Sequence, residues 1–479
     1  MQLRSHNLFK SEVTMSKAQF RMTRRQFGMT LAAAPVMIPL ARSASSDTPW
    51  DGPAIVRKVF VGVPKPTWPR PDLDLNQEMN DIDAKLAELE KKYPGQVRLT
   101  GGDWIKSVED VEPWTKSLGD ADAVLVLDLT SSTGPMLQAI GKVDISKLLF
   151  TRPITGWAFM EGADWIQKGL KGDMVASSNF EDLVPFFPML RNIHHLRHSR
   201  VLVVSPGGSN SMAAGFAKQF GTAIDFPQYQ DLKAAYDRVD SVKVEKEAAE
   251  VRSGALRVVE PSTEDIQKAS RFYLAVLDIL RQAKANAITI DCLGGFRRGD
   301  LPAYPCVAWS RLNDCGMYGV CEADLQSTMT QLLITGYSAR PGFVSDPTFD
   351  TSRNEVIHAH CVAATRMRGI GGPASPYILR SHMEDNKGVS VQVEMPVRET
   401  ITCAKFADSR TLLVSTGEVT ANVDAPRGCR TKMVTRVADA RKLVEGWSGG
   451  LHRVIFYGDY AEAARRLGRL MGFRVVQEG

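Results

Sequence analysis

Hydrophobic and polar positions along this chain follow two periods, and the pattern changes character twice. Ile55–Val63 is a β-branched run that stops at Pro64 and predicts a first strand. Asn76–Tyr93 spaces Met79, Ile82, Leu86 and Leu89 along one helical face, with Lys91 and Lys92 near its end. Val97–Leu99 and Ala123–Asp128 are further apolar runs of strand length. Buried strands alternating with amphipathic helices predict a parallel α/β domain over 47–199. The pattern restarts at Arg200. Val201–Val204 reads as a buried strand, followed by the turn Ser205-Pro206-Gly207-Gly208-Ser209-Asn210 and a helix from about Met212. Ile266–Arg281 places Ile266, Ala269, Tyr273, Val276 and Leu280 on one helical face, and Ala287–Cys292 reads as a strand ending in Leu293-Gly294-Gly295. These elements predict a second doubly wound α/β unit over 200–340. The remainder, 341–479, differs. Short alternating runs at Val389–Val393, Thr400–Phe406, Thr411–Ser415 and Glu418–Val423, separated by turn residues, predict an antiparallel sheet or barrel. Val454–Tyr457 adds a strand and Tyr460–Met471 a closing helix. The expected class is α/β, two doubly wound units followed by a β-rich C-terminal domain.

The first 46 residues stand outside this pattern. Thr23-Arg24-Arg25-Gln26-Phe27-Gly28 precedes a short apolar stretch from Met29 to Leu40, and small residues follow to Ala44. Paired arginines, a short apolar core and a small-residue cleavage region are the three parts of a twin-arginine signal peptide; a cytosolic amphipathic leader is the other reading. The apolar stretch falls short of the roughly 20 residues that span a bilayer, so no stable membrane anchor is expected. The expected location is periplasmic or secreted, with the twin-arginine translocase as a partner during export. Composition changes this picture little: 44% hydrophobic, 24% charged and a net charge of +5 to which the leader contributes. No Lys/Arg cluster with interleaved aromatics points to nucleic acid. Seven cysteines, odd in number and without a CxxC pair, read mostly as small buried hydrophobes.

Candidate chemistry concentrates late in the chain. In Pro305–Leu325, Glu322 and Asp324 stand where a helix begins, since Leu325, Met329, Leu332 and Leu333 follow at helical spacing. A helix start accounts for both acids, because negative charge there complements the macrodipole; chemistry is the alternative. Asp346 lies in Phe343–Asp350, where an ordinary Ser-Asp-Pro turn is the plain reading. His194, His195 and His198 fall in a basic stretch that reads as a solvated linker. His358 and His360 are spaced to share one face of a strand and could bind a metal. His382 reads as an exposed turn or the rim of a pocket, and His452 as a structural residue at a strand edge. The Ser205–Asn210 turn lacks any phosphate-binding motif and reads as a tight βα turn. Gly294–Arg298 ends a strand, where crevices form in open α/β sheets, and Trp309, Arg311 and Asn313 are placed beside it by adjacency alone. Taken together, these carboxylates and imidazoles are ligand types that suit a divalent ion such as manganese.

At this point the sequence resembles the L-fucose isomerase and L-arabinose isomerase superfamily, in its divergent fucose-isomerase-related branch. The resemblance is carried by Cys321-Glu322-Ala323-Asp324, Phe343-Val344-Ser345-Asp346, His358-Ala359-His360-Cys361 and Leu451-His452-Arg453-Val454-Ile455-Phe456. It implies two Rossmann-like domains followed by a β-rich domain, and an oligomer with pockets at subunit boundaries. It also implies that two acids a couple of dozen positions apart, here Glu322 and Asp346, bind the metal and shuttle the proton. His452 then occupies the place of the family's late histidine, and His360 matches the additional histidine of the arabinose branch. Leu451-His452 stands where paired histidines are common in the family.

Three functions follow. The first is metal-dependent aldose–ketose isomerisation through an enediol, with Glu322 and Asp346 transferring protons and Glu322, Asp346, His452 and His360 holding the ion. The second is an exported glycoside hydrolase or lyase using the same two carboxylates. The third is a sugar-binding protein without catalysis. All three make a carbohydrate the partner.

Overall fold

The computed structural model describes residues 49–479. The leader expected over 1–46 lies outside these residues.

The first sheet has five parallel strands in the order Val97–Ile105, Ala54–Val61, Ala123–Asp128, Ser146–Thr151, Gly172–Ala176. Strand side chains alternate between faces, and each face has its own core. Ala123, Leu125 and Leu127 pack with Leu75, Ile82, Leu86 and Leu89 of the helix Leu75–Lys92. Val124 and Val126 pack on the other side with Trp114, Leu137, Ile140 and Trp165. Helices therefore cover both faces, which is why these strands read as continuous apolar runs. Asp74 starts the helix Leu75–Lys92 by accepting hydrogen bonds from the backbone N–H groups of Asn76 and Gln77.

The second sheet has four parallel strands in the order Tyr318–Cys321, Ala287–Ile290, Arg200–Val204, Ala223–Asp225. It too separates two cores, with Val201 and Val203 facing one and Leu202 and Val204 the other. The long helix Thr263–Ala283 begins at a capping box formed by Ser262 and Asp265. The strand expected to run to Cys292 ends at Ile290. Asp291 accepts from the backbone of Gly294 and caps a helix, Cys292–Arg298, so the two glycines belong to that helix.

The third region contains a closed antiparallel barrel of six strands. Their order is Thr400–Asp408, Arg453–Tyr457, Phe343–Asp350, Glu355–His360, Thr431–Arg436, Thr411–Asn422, and the last pairs back to the first. Three local expectations change here. The Ser345-Asp346-Pro347 turn signal is overridden, because residues on both sides of it pair with neighbouring strands. Thr411–Ser415 and Glu418–Val423 join into one strand that runs through a register irregularity between Val419 and Ala421. Ser390–Val393 lies outside the barrel, in a small sheet with Tyr377–Arg380 and Arg257–Val258.

The closing helix, Ala461–Met471, turns back to the first sheet. Leu467 and Leu470 share a core with Phe150 and Val175, and Arg466 and Arg469 reach the buried Asp173 of the strand Gly172–Ala176. Among the described residues no helix is long and apolar enough to cross a membrane.

Candidate metal and acid–base site

The strand Tyr318–Cys321 ends the second sheet at its carboxyl edge, where open parallel sheets form their crevices. The chain then turns sharply. Glu322 and Ala323 both adopt left-handed conformations, with φ of 64° and 51°. For residues with a Cβ this costs about 1–3 kcal/mol each and needs surrounding structure to hold it. The next residue supplies that hold. Asp324 caps the helix Leu325–Ser338, accepting from the Ser327 backbone N–H at 2.9 Å and from its Oγ at 2.7 Å. The helix-start reading of this acidic pair is thus correct for Asp324, whereas the turn aims Glu322 at the barrel.

Three neighbouring barrel strands meet it. The register pairs Ser345 with Arg453 and Asp346 with Ala359. Asp346, His360 and His452 are therefore gathered at one place, although the last stands more than ninety positions from the others. His452 Nε2 lies 3.2 Å from Asp346 Oδ1 and 3.4 Å from Glu322 Oε2. His360 Nε2 lies 3.8 Å from Glu322 Oε1, and the two imidazoles are 5.6 Å apart between ring centres. Both histidines are buried, while about a third of each of the Glu322 and Asp346 side chains is exposed. All four residues expected to hold a metal converge.

A second layer positions them. On its other nitrogen, His452 Nδ1 lies 2.8 Å from Asp324 Oδ2. Asp324 is paired in turn with the buried ammonium of Lys405, which also donates to Ser327 Oγ at 3.1 Å. The next residue, Arg453, is fully buried. It forms a two-pronged pair with Glu478 at 2.9 and 2.7 Å and lies 3.7 Å above the Trp447 ring. This fixes the strand entrance from which His452 projects.

The electrostatics are lopsided. Three carboxylates surround His452, and Lys405 is the fixed cation among them. Burial opposes charge on the His452 ring, but Asp324, Asp346 and Glu322 outweigh it and push its pKa up to about 11. The neighbouring His452 ring holds Glu322 below the ordinary carboxylate range. Burial raises Asp346 and Asp324, yet the cationic ring, aided at Asp324 by Lys405, leaves both below their ordinary values. Burial keeps His360 neutral by lowering its pKa.

These residues fit a divalent ion. Glu322, His360 and His452 present ligand atoms within 4.8 Å of one another. His360 Nδ1 and Nε2, His452 Nε2 and Asp346 Oδ1 are buried without a hydrogen-bond partner, the 3.2 Å approach of the last two lacking the required alignment. Such groups are costly unless something else satisfies them. An ionised Asp324 only accepts, so it fixes the proton on His452 Nδ1 and leaves Nε2 as a ligand, the carboxylate–histidine arrangement common at metal sites.

The other candidates lie elsewhere or act differently. His358 is buried between Ser345 Oγ and Thr435 Oγ1, 3.0 Å from each, and burial lowers its pKa to about 3. His382 is buried rather than exposed, 2.9 Å from Cys361 Sγ. The stretch expected as a solvated linker is the helix Phe187–His198, with His194 and His195 buried. There Asp122, His194 and His198 form a second group able to hold a metal, but Arg197 already reaches the same carboxylate at 3.4 Å, and Ile55 N–H donates to it. Trp309 is wholly buried, Arg311 pairs with Glu247 and Asn313 bonds the backbone of Gly319, so none belongs to the cluster. The sequence reading missed Lys405 and the supporting role of Asp324. A single lysine inside the apolar run Ile401–Ala407 was the available signal.

The chain matches no protein-family profile, and no curated protein matches it.

Proposed function

We propose that this protein is a metal-dependent aldose–ketose isomerase, built on two Rossmann-like domains and a β-rich third domain as in the L-fucose and L-arabinose isomerases. One observation carries the reading. His452 has Asp324 on one ring nitrogen and both Glu322 and Asp346 at the other, with His360 alongside. A simple two-carboxylate hydrolase needs no such pair of imidazoles between its acids, whereas an ion-holding site does.

Glu322, Asp346, His360 and His452 would hold the ion, and carboxylates with imidazoles suit manganese. When bound, the ion supplies Lewis acidity toward a sugar's carbonyl and neighbouring hydroxyl. The chain does the remaining work. Glu322 and Asp346 are partly exposed and face the same space, so a sugar between them meets a carboxylate on each side. One takes the proton from the carbon next to the carbonyl, giving an enediol. The other carries the hydroxyl proton between the two oxygens, and return of the first proton to the adjacent carbon completes the exchange. Proton transfer of this kind contributes on the order of 10²–10⁴-fold. Asp324 and Lys405 hold His452 in one tautomer throughout. The substrate is a carbohydrate. The leader is consistent with a folded, metal-loaded and oligomeric protein delivered to the periplasm or beyond.

The test is to incubate Mn²⁺-loaded protein with a panel of aldoses in D₂O. Ketose should appear with solvent deuterium at the exchanged carbon, and EDTA should abolish both. Cleavage of glycosides unaffected by EDTA would overturn the reading in favour of a hydrolase. Chelator-insensitive sugar binding without conversion would overturn it in favour of a binding protein.

A further inference from the structure

The strand that delivers His360 ends at a thiol. Cys361 Sγ lies 3.6 Å from Cys429 Sγ. Cys429 sits in the loop joining Thr411–Asn422 to Thr431–Arg436, two residues before Thr431, the register partner of His360. A disulfide requires the sulfurs to close to about 2.05 Å, and a residue in irregular loop structure is well placed to make that move. The pair is also graded in access: Cys361 is buried and Cys429 is half-buried. Beside it, His382 Nε2 lies 2.9 Å from Cys361 Sγ. Its ring is held flat, stacked at 4.2 Å and 12° on Tyr304, which stacks at 4.0 Å on Phe296. Cys292 and Cys321 also face each other, but both are buried, so a small disulfide from solvent reaches neither.

We infer that Cys361 and Cys429 are a reversible thiol–disulfide site that exchanges with low-molecular-weight disulfides and couples oxidation to the position of His360. The sulfur of the half-buried Cys429 attacks one sulfur of the small disulfide RSSR, forming a mixed disulfide and releasing RSH. The Cys361 sulfur then attacks the Cys429 sulfur, breaks the mixed bond and releases the second RSH, its proton passing by way of the His382 ring to the leaving sulfur. Two protein thiols and one RSSR become one protein disulfide and two RSH, so atoms and electrons balance. The new bond ties the loop to the residue next to His360 and removes the Cys361 thiol from His382. Its formation stands on the thiol geometry alone; its effect on metal affinity rests on the proposed metal site.

The experiment uses the full chain treated with oxidised glutathione or with dithiothreitol. Peptide mapping without reduction should recover a Cys361–Cys429 link, and two of the seven thiols should be lost to maleimide when the treated chain is titrated in denaturant. Cys429→Ser should abolish the link, and the exposed Cys315→Ser should leave it intact. Mn²⁺ affinity should fall roughly tenfold on oxidation, the scale seen when support of a ligand is disturbed, and recover with dithiothreitol. Seven reactive thiols after oxidation, a Cys292–Cys321 link instead, or a glutathione adduct on Cys429 that never resolves would each overturn the site. A mapped link with unchanged Mn²⁺ affinity would overturn the coupling. Failure of either redox form to bind Mn²⁺ would strike the metal reading and the coupling while leaving the mapped link in place.

Discussion

His452 Nδ1 lies 2.8 Å from Asp324 Oδ2, so a helix cap also sets the tautomer of a barrel histidine. The carboxylate that starts Leu325–Ser338 does two jobs, one local and one across to the barrel. Asp324→Asn keeps the side chain's size and its capping oxygen but weakens its hold on the ring. A 10–100-fold loss of Mn²⁺ affinity is expected, the usual scale for such supporting partners, with near-native far-ultraviolet circular dichroism. Equilibrium dialysis measures the affinity; a value equal to wild type would show that Asp324 only caps the helix.

Glu322 is partly exposed on a left-handed turn, so its carboxylate contributes little to packing. Glu322→Gln should therefore melt close to wild type while turnover falls by at least the 10²-fold that a positioned general base supplies. Steady-state assay of the metal-loaded variant decides this, and wild-type turnover would remove Glu322 from the chemistry.

The raised pKa of His452 makes metal-free stability depend on pH with a defined sign. A folded value above the unfolded one gives stability that is complete below the ordinary histidine range and is lost as pH rises through the folded value. The window runs from about 6.5 to about 11. The depressed values of Glu322, Asp346 and Asp324 act oppositely, giving stability present above the ordinary carboxylate range and lost as pH falls. EDTA-treated wild type should lose melting temperature on the alkaline side faster than His452→Gln does. Saturating Mn²⁺ should flatten that excess loss, because the ion takes the proton's place. Parallel alkaline curves for the two proteins would contradict the assignment.

The Arg453–Glu478 pair is buried, with none of the arginine and 6% of the glutamate side chain exposed. Removing one charge strands the other, which for buried pairs costs about 3–5 kcal/mol. Glu478→Gln should shift the urea midpoint accordingly and loosen the entrance to Arg453–Tyr457. A shift corresponding to less than about 1 kcal/mol, the scale of an exposed pair, would show that the carbonyls of Ser448, Gly450 and His452 suffice to hold the guanidinium.

Much of the fold was legible because local pattern and burial agree. Ala123–Asp128 is apolar throughout since both its faces are covered, and Leu75–Lys92 shows one apolar stripe because one side meets a core. Where a segment's fate depends on its neighbours, the pattern misled. Ser345-Asp346-Pro347 carries turn chemistry yet lies in a strand paired on both sides, and His194 and His195 of Phe187–His198 look solvated but are buried under packing that no local period reveals.

By itself, the sequence determined the alternation of strands and helices, the order of the two parallel α/β regions before the β-rich region, and the residue types able to hold a cation. Tertiary structure alone decided that Glu322 leaves its helix start on a left-handed turn. It also decided that three barrel strands bring Asp346, His360 and His452 to that turn, and that Lys405 compensates Asp324 behind them. The physical reason is separation along the chain: periodicity reports which face of an element is buried, whereas a site drawn from distant strands exists only once their register closes the barrel.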